Sequence, residues 1–417
     1  MAITNITVSN FKSFKDLDLA LGRFNVVIGA NASGKSNFVE IFKFLQSLER
    51  NSIEDAVSLH GGASSILNRR LGSAEPLRMR ATSDRQMPWI GGLGGLRVHE
   101  TTYGFSLTIQ TPQDGVLIKD DHCTQKLRIE TDAKNVEMRF DVLVADGQPR
   151  VQIGPQELVD HIADDKILSD YASLREAYKY MLIVSKAIEL RTVKELLIHG
   201  IIFGIIGSLD SLFGRVGIYD LEPHAIKKPH ETAGIPRLQK NGENLALVLK
   251  QILADPEKSR KFHNLLRYVL PFAVEIGTEQ YLGESVLLRL REEYYEGNLL
   301  ANLLSDGTVD VAALITALFF EDKDVVIIEE PERNIHPHLI SGLMELMKDA
   351  SRNKQIIITT HSPEVVRHAG VENLLLISRD KEGFSTISRP AEKQDVKIFL
   401  ENNLGLDEVF VQELWGM

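Results

Sequence analysis

A single cysteine, Cys123, stands in this 417-residue chain, which excludes an intramolecular disulfide and a cysteine-based zinc site and fits a reducing cytosol. No basic-then-apolar leader opens it, because MAITNITVSNFKSF lacks the layout of a signal peptide. An unbroken apolar run of membrane length is missing as well. The most apolar window, LLIHGIIFGIIGSLDSLFG (residues 196–214), is interrupted by His199, Asp210 and four glycines counting Gly214, and it reads as a buried helix or helical hairpin. No membrane partner is therefore expected, and the chain is placed in the cytoplasm. A net positive charge is lacking: the formal charge of −11 argues against wholesale coating of nucleic acid, while leaving room for a local basic strip. Internal repeats, sustained heptads and low-complexity linkers are lacking too, so no long coiled-coil arm is expected. What remains, 43% hydrophobic and 25% charged residues, suits one large or two medium globular domains.

Against these absences stands GANASGKSNF, residues 29–38. The apolar segment RFNVVIG before it has strand length, and Phe38, Ile41, Phe42, Leu45 and Leu48 after it are spaced as one face of a helix. A strand, a glycine-bounded loop and a helix starting at Gly34 aim backbone N–H groups at one point, the positive end of a helix dipole, which suits phosphate. Lys35 adds a positive charge for the terminal phosphates, and the Ser36 hydroxyl can ligate magnesium. The chain is thus expected to bind a nucleotide through Gly29, Asn31, Ser33, Gly34, Lys35, Ser36 and Asn37.

Residues 2–28 read as three short strands, ITV (6–8), DLDLAL (16–21) and FNVVIG, with Gly22 turning the chain into the third. Irregular, Gly-, Ser- and Arg-rich sequence follows the first helix. Then come the strand-like pieces LRMRAT, YGFSLTIQ, KLRIET and EMRFDVLVA, separated by turn signals such as Pro112-Gln113-Asp114-Gly115 and Asp146-Gly147. Residues 155–214 turn helical. Late in the chain, DVVIIEE (324–330) and QIIITTH (355–361) are continuous apolar runs of the kind found in buried parallel strands.

A phosphate loop alone is shared by kinases, GTPases, transporters and motors, so the later motifs decide. In LLSDGTVDVAALITAL (303–318) a helical apolar face places Ser305, Asp306 and Gly307 at a second helix N-terminus; taken alone, these residues are also a good cap. In VVIIEEPERNIHPHL (325–339) a strand ends in Glu329 and Glu330 at the sheet edge where α/β folds bind ligands. One acid can hold hydrated magnesium and the other can orient or deprotonate the water that attacks the γ-phosphate. In IIITTHSPEVV (356–366) a strand ends in His361, where a neutral imidazole can donate one hydrogen bond to a γ-phosphate oxygen. The interval between Glu330 and His361 leaves room for one crossover helix, Leu339 to Ala350, between adjacent parallel strands.

Together these residues resemble the ABC-type ATPase head of SMC, RecF and OLD-family proteins. GANASGKS looks like Walker A, LSDGT the signature motif, VVIIEE Walker B, ERNIH the D-loop and His361 the switch histidine. The opening NFKSF, the pair LSDGT and EEPE..IHP, and the run NGENLA (241–246) resemble the OLD/RecF-like group of AAA-type ATPases. The likeness covers the first 50 residues and most of 215–390, and only weakly the middle. It implies an α/β fold, an ABC-ATPase (P-loop NTPase) head with an N-terminal β-rich lobe, a central parallel-type sheet and a helical insertion. The expected divisions are an N-terminal ATPase lobe at 1–154, a helical insertion at 155–214 and a C-terminal ATPase lobe at 215–417. ATP and Mg2+ are the implied ligands, with Ser36 and Glu329 toward the metal and Glu330, His361, Lys35 and Ser305 as the catalytic set.

In such heads the signature serine meets the nucleotide of the opposite subunit, so two chains pair head to tail about two ATPs, as a homodimer or a higher even-numbered oligomer. Departures from the wider pattern are Glu329 in place of Asp, Asp306 in place of Gly, Ala32 in place of a frequent Gly, and His336 at the D-loop aspartate. A Q-loop glutamine is not located; Gln86 and Gln110 are the candidates. OLD nucleases add a C-terminal Toprim domain, and the stretch after His361, ending in IFLENNLGLDEVFVQELWGM, is expected to hold none. His336 and His338 flank a proline without an evident third ligand, so no metal is expected there.

The expected function is an ATP-driven switch acting on DNA in repair or anti-phage defence, with a separately encoded effector such as a nuclease. Arg69, Arg70, Arg78, Arg80 and Arg85 form the basic cluster that supports DNA, although a solvated face reads the same way. The alternatives are the nucleotide-binding subunit of a transporter, disfavoured by the long insertion between Lys35 and Ser305, and a scaffold that uses ATP only to dimerise.

Overall fold

The computed structural model describes residues 1–88, 96–110, 115–130, 135–155, 172–189, 196–199, 212–234 and 237–392. From the N-terminus come β1 (Ile3–Phe11), β2 (Phe14–Ala20), β3 (Phe24–Ile28), α1 (Lys35–Arg50), α2 (Ile53–Leu59) and α3 (Ala63–Ile66). Strands β4 (Leu77–Ser83), β5 (Met87–Pro88), β6 (Leu96–Gln110), β7 (Gly115–Glu130), β8 (Asn135–Ala145) and β9 (Gln148–Gly154) follow, then α4 (Ala172–Glu189). The later part holds β10 (Val216–Tyr219), α5 (Pro223–Ile226), β11 (His230–Glu231), α6 (Leu245–Ala254), α7 (Pro256–Val269), β12 (Ala273–Tyr281), β13 (Ser285–Glu292) and β14 (Asn298–Leu300). It continues with α8 (Asp306–Phe319), β15 (Val325–Glu329), α9 (Pro337–Ala350), β16 (Gln355–Thr360), α10 (Pro363–Ala369) and β17 (Leu374–Arg379).

The chain divides into two compact units: Met1–Leu21 with Asn37–Gly214 and Asp380–Thr386, and Gly22–Ser36 with Arg215–Arg379 and Ile387–Met417. The first is built on an antiparallel 8-stranded sheet in the order β2-β1-β4-β6-β7-β8-β9, with β5 on β6. Alternation from Asp16 to Ala20 in β2, where Leu17 and Leu19 are buried and Asp16 and Asp18 pair with Ser9 and Thr7 of β1, shows one face covered and one wet. Asp146 and Gly147 make the turn between β8 and β9. Residues 112–114 of the other turn signal lie outside the described residues. So does most of the apolar window 196–214, of which 196–199 and 212–214 are described.

The second unit carries the parallel sheet, in the order β10-β15-β16-β3-β17. FNVVI and QIIITT are buried at every position, which is why these strands read as unbroken apolar runs. Alternate residues, Val26 and Ile28, Val326 and Ile328, Ile356 and Ile358, enter one core with Val311, Leu314, Ile315 and Leu318 of α8 and Leu343, Met344 and Met347 of α9. The crossover helix predicted for 339–350 is α9, which begins two positions earlier with Pro337 in its first turn, where a missing N–H costs nothing. A smaller antiparallel sheet, β11-β13-β12 with β14 on β13, belongs to the same unit. Among the described residues no helix is long and apolar enough to cross a membrane.

Candidate functional site

Parallel register brings three strand ends to one edge. Glu329 of β15 lies opposite Thr359 of β16, and Thr360 lies opposite Ile28 of β3. The chain therefore leaves β3, β15 and β16 side by side at the carboxyl edge of the sheet, the place where α/β folds present ligand-binding groups.

At the first end, Gly29 has no room for a side chain. A Cβ there would lie 2.3 Å from the Ile377 carbonyl oxygen and 2.7 Å from Ser33 Oγ. The loop is held open by Ala32 and Gly34 at φ 63° and 119°, by a Ser33 N–H bond to the Ala30 carbonyl, and by the Arg379 guanidinium, which donates to the Ala32 carbonyl at 3.0 and 3.1 Å. Gly29→Ala is expected to lower unfolding free energy by about 1–3 kcal/mol, as overpacking does, readable as a lower denaturant midpoint at unchanged slope.

Lys35, half-buried at the start of α1, donates to the carbonyls of Gly29 at 2.7 Å and Ala30 at 3.1 Å. Burial lowers its pKa, opposed by the nearby charges of Glu330 and Glu332. Its partners here are neutral carbonyls, so an anion entering the loop offers this cation a stronger partner. Ser36 and Asn31 are exposed, whereas Ser33 and Gly34 are buried. Asn37 turns its amide elsewhere, donating to Ser13 Oγ at 2.8 Å.

At the second end, Glu330 takes φ 46°, a strained conformation for a residue with a side chain. Its N–H donates to the Thr359 carbonyl at 2.9 Å and its own carbonyl accepts from Arg333 N–H at 3.0 Å, which fixes the sharp exit from β15. The carboxylate is gripped at both oxygens, Oε1 by His361 Nδ1 at 2.8 Å and Oε2 by the Arg333 guanidinium at 3.1 Å. Burial pushes this carboxyl up, but the bonds and charges of Arg333 and His361 outweigh it and hold it below the usual carboxylate range. With Nδ1 spent on Glu330, the exposed His361 keeps Nε2 for another partner.

On a different element of the same unit, Ser305 caps α8. Its Oγ accepts from Thr308 N–H at 3.1 Å and meets Thr308 Oγ1 at 2.7 Å, and the residue is exposed. Asp306 is paired with Lys227, just beyond α5. Gly307 packs against the loop that follows the acids: a Cβ on it would lie 2.5 Å from the Asn334 carbonyl oxygen. Asn334 also donates to Asp310 Oδ2 at 3.1 Å, and burial pushes the Asp310 carboxyl up to about 7 against that bond. His336 and His338 share one short contact, Nδ1 to Nδ1 at 2.5 Å, at the start of α9. Among the described residues no group of three or more His, Cys, Asp or Glu could hold a metal. Magnesium on a nucleotide needs fewer, because phosphate and water fill most of its shell, and the Ser36 hydroxyl with the Glu329 carboxylate is a fitting hard-oxygen pair.

The structure thus gathers Lys35, Glu329, Glu330 and His361 at neighbouring strand ends and puts Ser305, Asp306 and Gly307 on a separate helix end. Arg379, Asp310 and Lys227 were not singled out from sequence, whereas Arg333 and Asn334 were read only as part of the D-loop-like ERNIH, without their bonds to Glu330 and Asp310.

A family model described as "AAA domain, putative AbiEii toxin, Type IV TA system" matches residues 24–367. The chain is 34% identical over 117 residues to protein ea59 of Escherichia phage lambda, spanning 27% of this chain and 21% of that protein. It is 26% identical over 91 residues to the uncharacterized protein MJECL43 of Methanocaldococcus jannaschii, spanning 21% of this chain and 24% of the other. It is 27% identical over 125 residues to the DNA replication and repair protein RecF of Lactobacillus acidophilus, spanning 28% and 33%. The chain thus spans a third or less of the length of these relatives. Among solved structures, the SMC head domain from Thermotoga maritima superposes with a TM-score of 0.44 at 12% identity, covering 93% of this chain and 99% of that one. An SMC head bound to the C-winged helix domain of ScpA gives 0.49 at 12%, covering 93% and 98%.

Proposed function

Because the chain belongs to that AAA domain family, we propose that it is an ATP-binding and ATP-hydrolysing switch that pairs head to tail on ATP. The observation that carries this reading is the parallel-sheet edge on which a half-buried lysine, two acids and a histidine stand at adjacent strand ends. Lys35 and the N–H groups at the start of α1 bind the phosphates, and Arg379 keeps the loop in shape. Bound magnesium would neutralise phosphate charge, held by Ser36 and Glu329. Glu330, kept ionised by Arg333 and His361, accepts a proton from the attacking water, while His361, as the imidazolium with Nδ1–H on Glu330, donates Nε2–H to the terminal phosphate oxygen.

Ser305 supports the paired arrangement. It is exposed at a helix N-terminus, a place suited to an anion supplied by a second copy of the chain. Each γ-phosphate would then lie between two helix ends, one from each protomer, with water largely excluded. The two surfaces would be self-complementary about a two-fold axis.

DNA is the proposed partner, and a separately encoded effector the proposed output, in repair or anti-phage defence. Arg78 and Arg80 alternate along β4 and stand exposed on one face of the first unit's sheet; Arg69 and Arg70 are exposed too. Phosphate release measured with and without duplex DNA, together with particle mass before and after ATP, tests the whole reading. Expected are a doubling of mass with ATP and duplex binding that weakens steeply with salt, as release of counterions requires. A constant mass refutes the pairing, and salt-independent or absent binding refutes the DNA partner.

A further inference from the structure

Glu332, read so far only as part of the segment ERNIH, has no chemical role of its own, yet its placement is unusual. It follows Pro331 in the loop after β15, and its Oε1 accepts from Thr360 Oγ1 at 2.5 Å. The same hydroxyl oxygen accepts from the Ser362 N–H at 2.9 Å. Thr360 is the last residue of β16, and Ser362 is the cap residue of α10, so these two bonds bracket His361. The other carboxyl oxygen, Oε2, is buried and has no hydrogen-bond partner among the described residues. Burial pushes the Glu332 carboxyl above its usual range against the Thr360 bond, and its charge is felt by Lys35.

An acid buried with one unpaired oxygen costs stability, and a threonine hydroxyl at a strand end needs no carboxylate to be satisfied. The arrangement therefore calls for a use. Two acids of one short loop each hold one residue of the same turn: Glu330 grips the His361 ring, and Glu332 grips the backbone corner that carries it. A ring held only by Glu330 could pivot about its Cα. A corner fixed by Glu332 through Thr360 limits that freedom, and small displacements of a group that must meet a phosphate are costly in rate.

The geometry points to Glu332 as a positioning residue of the ATPase site, setting the place of His361 through Thr360; this rests on the reading of the edge as an ATPase site. The mechanism asks for no proton transfer by Glu332. It asks only that the Thr360 hydroxyl be held with its hydrogen toward Glu332 and its lone pair toward Ser362.

The test compares Glu332→Ala, Thr360→Val, the double variant and the conservative Thr360→Ser by steady-state phosphate release, with ATP binding and thermal melting recorded beside them. Glu332→Ala and Thr360→Val are each expected to lower kcat by roughly 10²-fold, the scale of a displaced catalytic group, with KM unmoved. The double variant should be no slower than either single one, because both remove the same link. Thr360→Ser should recover most of the loss, since it restores the hydroxyl. Turnover unchanged in both single variants, additive losses in the double one, or a change in KM rather than kcat overturns the assignment. Lys35→Ala and Glu330→Gln separate the two levels of failure. If they silence phosphate release while Glu332→Ala does not, only the role of Glu332 falls; if the parent chain releases none, the ATPase reading falls and takes this role with it.

Discussion

Glu330→Gln is expected to bind ATP as the parent chain does, to release phosphate about 10²–10⁴-fold more slowly, and to accumulate as an ATP-held pair. The reason lies in the contacts of the carboxylate. Arg333 and His361 hold it in its ionised form, which can accept a proton from water; an amide of the same shape cannot. Binding is spared because the phosphate loop, its Arg379 brace and Lys35 are untouched by the change. A filter or fluorescence measurement of ATP binding, phosphate release and particle mass on one preparation checks all three parts. Unchanged turnover would mean that Glu330 is not the base and that its strained backbone serves some other purpose.

Lys35→Ala should have the opposite signature, with no detectable ATP bound at concentrations that saturate the parent chain, and consequently no turnover and no pairing. Lys35 is half-buried and bonded to the loop's own carbonyls at 2.7 and 3.1 Å. Those neutral partners are ones a polyphosphate can outbid, because hydrogen bonds between ionised groups are roughly twice as strong as neutral ones. Without the cation, the helix end offers partial charge alone. Since the lysine also satisfies two carbonyls, the melting temperature serves as a control: loss of ATP with the melt retained assigns the effect to the charge. Retained binding would place the nucleotide elsewhere.

Much of this was legible along the sequence, and the reason is physical. The glycine-bounded loop announces itself because two glycines, a lysine and a serine fall within eight positions, and because the strand before it is buried throughout while the helix after it buries one face. VVIIE and QIIITT could be read as buried parallel strands since every position but Glu329 is buried. The bonds that hold the site together had no such signal. Arg379 reaches Ala32, Thr360 reaches Glu332, and Asn334 reaches Asp310, each across a gap in sequence that no local pattern spans. Asp310, a polar residue on an otherwise apolar helix, is 3% exposed and bonded to the loop beyond the acids. The side-chain amide of Asn37, in the first turn of α1, donates to Ser13, a bond that no local pattern announces either.

The close fit of Gly307 against Asn334, backed by the buried Asp310, has one more consequence. The start of α8 and the segment after Glu330 are joined at two points, so neither can shift without dragging the other. In the paired arrangement proposed above, α8 of one protomer would touch the nucleotide held by its mate. Spending the fuel in one half would then be felt as a changed grip in the other, and the two halves would fire as a concerted or alternating couple rather than as independent engines.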